Sequence, residues 1–134
     1  MKRGTKVHPG VALALSSLVL TVAVGCSSKA ADDPNSTVPA SPTLTVIGQD
    51  IKFTEKTYAG PAGEVKIAYE NKGNQVHNLL LKANDKRGAR VGGKVTIGPG
   101  EKKGIAFTLT AGTYYMYCDI SGHEASMNAT LTVT

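Results

Sequence analysis

The chain lacks the features that define several common classes of protein. Its longest apolar run, Val11–Val24, is shorter than the roughly 20 residues that a membrane-spanning helix requires. No segment keeps a helical period and no internal repeat is visible, so neither a helical bundle nor a repeat array is expected. The length of 134 residues is typical of one domain.

A strong excess of basic residues is also absent once the N-terminus is set aside. The whole chain has 15 Lys and Arg against 10 Asp and Glu, a net charge of +5. Three of the basic residues and no acid lie in the first 25 residues, so the remainder carries 12 minus 10, or +2. A nucleic-acid-binding domain should be strongly basic on one face. We therefore expect no nucleic-acid partner.

One stretch, 82–94 or KANDKRGARVGGK, concentrates positive charge in a glycine-rich context. Its five basic residues are Lys82, Lys86, Arg87, Arg90 and Lys94. The stretch is compatible with docking of an acidic partner, but its composition favours a solvated loop.

The first 25 residues have the layout of a secretory signal. Lys2, Arg3 and Lys6 precede the apolar run, and small residues follow it. A basic start, a short apolar middle and a small-residue exit are the three parts of such a signal. A buried core helix is the alternative, but it should carry polar residues at helical period, and the run has none. We predict that the protein is exported.

The segment AVGCSS, 23–28, resembles the lipobox of bacterial lipoproteins. In that family the cysteine thiol is alkylated by a diacylglyceryl group, and cleavage leaves the cysteine at the new N-terminus. Ala23 is a departure, since the family usually has a large aliphatic residue there. The resemblance implies lipidation at Cys26 and anchoring to a cell membrane, facing the periplasm or the cell exterior. Ordinary cleavage near Ala30 or Ala31, which releases a soluble protein, is the alternative.

Beyond the anchor, the composition changes twice. The stretch 27–42, SSKAADDPNSTVPASP, is rich in proline and small polar residues and reads as a flexible tether. Short strand-like segments then begin. We predict a signal peptide at 1–25, a lipidated cysteine and disordered linker at 26–42, and one folded domain at 43–134.

The domain consists of alternating segments separated by turn residues. Alternation is cleanest at Glu64–Glu70, where Val65, Ile67 and Tyr69 share a face. Other strand-like segments lie at 43–47, 76–82, 103–110, 113–118 and 128–134. Glycine, proline and asparagine clusters separate them at 60–63, 71–74, 98–100 and 111–112. Short strands with regular turns predict an all-β sandwich.

Few cysteines and histidines remain after the signal is removed. Cys118 is alone once Cys26 is assigned to the anchor, so no intrachain disulfide is expected. A leftover cysteine in an exported protein is a reactive thiol, a partner for another cysteine or a metal ligand. His8 lies in the signal, which leaves His77 and His123. Each of these side chains taken alone could equally be a buried core residue.

The strongest motif is Cys-x4-His-x3-Met in the segment YCDISGHEASM, 117–127. A His-Asn pair, His77-Asn78, lies upstream on a separate predicted strand. This set resembles the cupredoxin, or blue copper, family over residues 43–134, in strand order and in ligand order. The resemblance implies a Greek-key β-sandwich and one type 1 copper ion. It also implies the ligands His77, Cys118, His123 and Met127.

Ligand chemistry agrees with that resemblance. Two imidazoles and a thiolate in a plane, with a distant thioether on the axis, form the electron-transfer copper site. A zinc site built from the same residues would give no reason for the thioether. Met127 could instead simply pack, as Met116 is expected to do, because other groups can fill the axial position.

Asn78 is a candidate to orient the copper ligands. In the family, the asparagine after the first histidine hydrogen-bonds to the backbone near the cysteine and ties the two ligand strands together. Here Asp119 follows Cys118, where relatives often carry Ser or Thr. A strand asparagine that points to solvent is the alternative.

The resemblance implies a one-electron carrier that cycles between Cu(I) and Cu(II), has donor and acceptor proteins as partners, and is a monomer. A copper trafficking or storage module without a redox partner is the alternative. An enzyme with Cys118 as nucleophile is the weakest interpretation, because no orienting acid lies at motif spacing. We predict that the protein is not an enzyme.

Overall fold

The computed structural model describes residues 37–134. The predicted signal peptide, Cys26 and the linker up to residue 36 lie outside the described residues. Nine strands follow in the part described: β1 (Leu44–Gln49), β2 (Lys52–Phe53), β3 (Thr57–Gly60), β4 (Gly63–Asn71), β5 (His77–Ala83), β6 (Arg90–Ile97), β7 (Lys102–Leu109), β8 (Gly112–Tyr117) and β9 (Asn128–Val133). Over these residues, no helix has the length and apolar character to cross a membrane.

The strands form two sheets that pack face to face. One sheet has the order β2-β1-β4-β7, and the other has the order β3-β9-β8-β5-β6. The pairs β1–β4 and β3–β9 are parallel, and the remaining pairs are antiparallel. The chain passes repeatedly from one sheet to the other. The predicted all-β sandwich is confirmed.

Alternation of apolar residues explains why the sandwich closes. On β4 the side chains of Val65, Ile67 and Tyr69 are fully buried between the sheets, while Glu64 is exposed on the other face. On β9 the same pattern buries Leu131 and Val133. Residues two apart on a strand point to the same face, so each sheet presents one apolar surface to the other.

Strand β6 occupies part of the stretch for which the sequence favoured a solvated loop. Val95 and Ile97 are buried in the core, and Arg90 is exposed. Gly92 has a φ of 65°, and the register of β6 against β5 shifts between Leu79 and Leu81. This bulge breaks the simple alternation that identifies a strand. Only the preceding segment, around 84–89, forms a loop.

Thr37 and Pro39, in the last part of the predicted linker, lie against the first sheet. A Cβ atom at Gly104 would lie 2.5 Å from Cδ of Pro39 and 2.9 Å from the carbonyl oxygen of Thr37. The amide of Thr43 donates a hydrogen bond to the carbonyl of Lys66 at 2.7 Å. The chain therefore contacts the sandwich before residue 43.

Candidate metal centre

Three predicted ligands come together at one end of the sandwich. His77 begins β5, Cys118 directly follows β8, and His123 lies in the β8–β9 loop. Their ligand atoms all lie within 4.8 Å of one another. His77 and Cys118 are fully buried, and His123 retains 7% of its exposure. We call these three residues the buried cluster.

The local backbone of the β8–β9 loop holds its side chains in place. The amide of Cys118 donates to the carbonyl of Met127 at 3.1 Å, which closes the loop at its base. The amide of Met127 donates to the carbonyl of His123 at 2.7 Å, and the amide of His123 donates to the carbonyl of Ile120 at 2.9 Å. Because β8 and β9 are paired directly below the loop, Cys118 and Met127 are fixed to the same sheet.

His77 has the chemistry expected of a ligand whose partner is a cation. Neither of its ring nitrogens makes a well-formed hydrogen bond among the described residues. Burial, and then the neighbouring His123, lowers the pKa of His77, and an interaction with the backbone of Asp50 opposes this effect. The neutral ring, which has a lone pair for a metal, is therefore favoured. A buried polar group without a partner costs stability, and a bound metal would remove that cost.

The side chain of Cys118 is a buried thiol whose sulfur accepts a hydrogen bond from the backbone. Burial raises the pKa of its thiol, and the backbone N–H of Asn78 partly opposes this effect by stabilising the thiolate. That N–H lies 3.3 Å from Sγ. The sulfur also lies 3.7 Å from Nδ1 of His123. A metal that binds here must therefore displace the thiol proton.

Met127 is fully buried and lies where the loop rejoins the sheet. Its methyl group reaches strand β1, because a Cβ atom at Gly48 would lie 3.1 Å from Cε of Met127 and 3.1 Å from the hydroxyl of Tyr69. Glycine leaves room for both side chains at this corner. The structure thus places Met127 in the same loop as Cys118 and His123, and its role as a ligand stays a prediction.

Asn78 is buried and hydrogen-bonded on both ends of its amide. Its Nδ2 donates to the carboxylate of Asp119, and its Oδ1 accepts from the hydroxyl of Thr96 at 2.7 Å. Asn78 therefore ties β5 to β6 and to the residue after Cys118. The solvent-facing alternative is wrong, since Asn78 is only 7% exposed. The side-chain tie runs to the Asp119 carboxylate, whereas the resemblance implied the backbone.

Lys82 packs on the outer face of the second sheet, on the opposite side from the core. Its ammonium lies 4.3 Å from the ring centre of Tyr117, which stacks on Tyr115 at 5.7 Å. It also lies 3.6 Å from the carboxylate of Glu124. Two more residues of the basic stretch have acidic neighbours, Arg87 with Asp85 and Lys94 with Asp119.

The sequence did not place at the metal centre three residues that shape this end of the sandwich: Gly48, Thr96 and Lys94, the last of which it singled out only as part of the basic stretch. Thr96 is directly opposite Asn78 in the β5–β6 pair. Gly48 comes from the other sheet. None of the three belongs to the motif, and only strand register brings them to it.

The buried cluster combines two imidazole nitrogens with one sulfur, which is the softer ligand. Such donors suit copper, since thiolate favours Cu(I) and imidazole accepts both oxidation states. The unpartnered nitrogens of His77 and the free thiol of Cys118 both favour a bound cation. The residues present therefore fit a single copper ion.

Comparison with known proteins gives a family and a fold. A family model described as "Cupredoxin-like domain" matches residues 16–133, which is most of the chain. A search of curated proteins finds no match.

Three solved structures share the fold. Dithionite-reduced auracyanin from the photosynthetic bacterium Roseiflexus castenholzii has 22% identity and a TM-score of 0.62, covering 72% of this chain and 99% of its own. An azurin (Az-iso2) from the methylotroph Methylomonas sp. strain J has 23% identity and a TM-score of 0.58, with coverages of 71% and 99%. Auracyanin A, a "blue" copper protein from Chloroflexus aurantiacus, has 23% identity and a TM-score of 0.56, with coverages of 70% and 100%.

Proposed function

The chain belongs to the cupredoxin-like family, and from this premise we propose that it is a one-electron carrier with a single type 1 copper ion. The observation that carries the proposal is the buried cluster: one thiol and two imidazoles, with ligand atoms within 4.8 Å of one another. Similarity in fold to auracyanins and an azurin supports the same proposal.

In the proposed site, His77, Cys118 and His123 would hold the metal, and Met127 would be the fourth ligand. A copper ion bound there supplies a one-electron Cu(I)/Cu(II) couple. The chain's part is to keep the ligand positions fixed in both oxidation states. Paired strands and the hydrogen-bonded β8–β9 loop restrict movement of these side chains. Little rearrangement is then needed when the electron moves.

We propose that electrons enter and leave through His123. Among the three residues of the buried cluster, His123 alone keeps measurable exposure, at 7%. The sheets enclose His77 and Cys118 completely. A redox partner therefore approaches most closely at the imidazole of His123.

Burial also bears on the alternative functions. A thiol without solvent exposure cannot meet a substrate, so nucleophilic catalysis by Cys118 has no support. A trafficking or storage module must pass its copper on to another protein. A buried set of ligands favours retention instead, and we therefore prefer the electron carrier.

We propose in addition that the protein is a monomer exported to the periplasm or cell exterior and anchored to a membrane through a lipid on Cys26. The basic start, apolar run and AVGCSS segment support this proposal. Its donor and acceptor would then be redox proteins in the same compartment.

The test of the copper proposal is spectroscopy of the protein without its signal peptide. The Cu(II) form should show intense visible absorption from thiolate-to-copper charge transfer, and it should titrate reversibly as a one-electron couple. Cys118→Ser should abolish the band, because the thiolate is its source. His77→Ala and His123→Ala should weaken or shift it.

A colourless protein that prefers zinc to copper would contradict the type 1 site. A coloured protein that loses copper rapidly to a mild chelator and shows no reversible couple would favour the trafficking or storage function.

A further inference from the structure

A chain of polar side chains leads from the surface of β6 to the cysteine of the buried cluster. The ammonium of Lys94 lies 3.4 Å from one carboxylate oxygen of Asp119. The other carboxylate oxygen accepts a hydrogen bond from Nδ2 of Asn78, whose backbone N–H lies 3.3 Å from Sγ of Cys118. Thr96 completes the arrangement by donating to Oδ1 of Asn78 at 2.7 Å.

The hydrogen bonds fix the orientation of Asn78. An amide side chain has two donors and one acceptor oxygen, and here Asp119 and Thr96 each contact one end of it. Asn78 is 7% exposed, so water cannot readily replace a lost partner. Removing the Asp119 oxygen would free the amide and loosen the strand that carries both His77 and the N–H that contacts sulfur.

The two charged members of the chain differ from the amide in their exposure. The side chains of Lys94 and Asp119 are 40% and 34% exposed. An ion pair this exposed contributes little to stability. Its charges nevertheless lie beside the buried cluster: Asp119 directly follows Cys118 in the chain, and the Lys94 ammonium lies 3.4 Å from the Asp119 carboxylate. The negative charge of Asp119 and the positive charge of Lys94 therefore have opposite electrostatic effects on the buried cluster.

We propose that Asp119 is a positioning residue that holds Asn78 against Cys118, and that Asp119 and Lys94 tune the reduction potential of the site in opposite directions. This inference rests on the proposed copper function. The oxidised site carries one more positive charge than the reduced site. The carboxylate therefore stabilises the oxidised form and the ammonium destabilises it.

The tuning is tested by the reduction potentials of variants that each remove one of the two charges. Asp119→Asn should raise the potential, since it removes a negative charge and keeps an acceptor oxygen for Asn78. Lys94→Gln should lower it. Each change should shift the equilibrium for reduction by about threefold to tenfold, where tenfold is 59 mV for one electron. Both shifts should shrink at high ionic strength because the pair is partly exposed.

The matched control is Lys66→Gln. Lys66 forms an ion pair with Glu64 at 3.0 Å, with side-chain exposures of 45% and 60%, on β4 of the opposite sheet. Its loss changes the net charge equally but should leave the potential almost unchanged. If Asp119→Asn and Lys94→Gln bind copper and shift the potential no more than this control, the tuning is overturned.

The copper-free protein tests the positioning role separately. Asp119→Ala should lower the midpoint of chemical denaturation, and Asp119→Asn should lower it less, because it keeps the acceptor. Equal midpoints for the two variants would overturn the positioning role. If the protein takes up no copper, the proposed function and the tuning both fail, and the copper-free comparison still decides the positioning role.

Discussion

Met127 differs from the other predicted ligands because a thioether is a weak donor. Other groups can fill an axial position, so the motif alone does not assign it. The described geometry brings Met127 into the corner between the β8–β9 loop and Gly48, fully buried. Full burial is equally expected of a core methionine, and Met116 provides an example on β8. Met116 is therefore a suitable control for testing whether Met127 binds the metal or only packs.

Met127→Leu should raise the reduction potential and retain copper. Leucine conserves volume and deletes the sulfur donor, and such swaps cost little in packing. The thioether stabilises Cu(II) more than Cu(I), so its loss favours reduction, by about 59 mV for a tenfold change in the one-electron equilibrium. Voltammetry provides the measurement, with Met116→Leu as the control that should change nothing. An unchanged potential and spectrum in Met127→Leu would mean that Met127 only packs.

At the scale of the strands, Gly92 is the residue on which β6 depends. Its φ is 65°, in the region that residues with a Cβ atom rarely adopt. A Cβ atom there would also lie 2.6 Å from Cδ1 of Phe107, a buried residue of β7. Both the backbone and the packing therefore require glycine at this position.

Gly92→Ala should destabilise the protein by roughly 2–5 kcal/mol, the sum of the left-handed backbone cost and an overpacked contact. Denaturant unfolding of the copper-free protein measures the change. Gly93→Ala is the matched control, because a Cβ atom there would meet Cδ1 of Ile105 at an ordinary 3.7 Å. Equal stability of the two variants would show that β6 tolerates a different bulge.

The same strand shows where sequence patterns stop being informative. Strands β1, β4, β5, β7, β8 and β9 were predictable because alternation, apolar runs or aromatic residues mark them directly. Strand β6 was not, since its bulge and its glycines interrupt that alternation. Strand β3 was missed for another reason: it has four residues, none of them fully buried, so no apolar alternation marks it.

The candidate site also has a part that the sequence predicts and a part that only the structure shows. Cys118, His123 and Met127 follow from spacing within one segment, and His77 follows from the His-Asn pair. The Asn78–Asp119 contact and the position of Thr96 depend on how β5, β6 and β8 are aligned. The alignment of strands is a property of the assembled sheet, so the sequence alone does not identify side-chain partners outside the motif.

At the scale of the whole molecule, the proposed anchor at Cys26 lies outside the described residues. Contacts between the first described residues and the sandwich limit the distance from the anchor to the folded domain. Thr37 and Pro39 already lie against the first sheet near Gly104. Cys26 and Thr37 are 11 positions apart in the sequence. A chain of that length spans at most about 40 Å when fully extended. The folded domain would stay close to the membrane surface.

Cys26→Ala should block lipidation and signal cleavage, and the protein should then fail to mature. Metabolic labelling with a fatty acid and membrane fractionation provide the measurement. Cys118→Ala is the control, since it removes the other thiol of the chain and should be labelled like the parent. Normal processing and location of Cys26→Ala would rule out the lipoprotein proposal.

The position of His77 on β5, apart from the ligands of the β8–β9 loop, has a topological consequence. A metal held by both would be a removable cross-link between residues 77 and 118. A permanent link closing a loop of this length would restrict the unfolded chain by roughly 4 kcal/mol, an upper limit for a coordinate bond. Cys118, the one cysteine in the described part of the chain, is free. Copper loading should therefore raise the midpoint of denaturant unfolding, and a chelator should restore the lower midpoint, measurable by equilibrium denaturation.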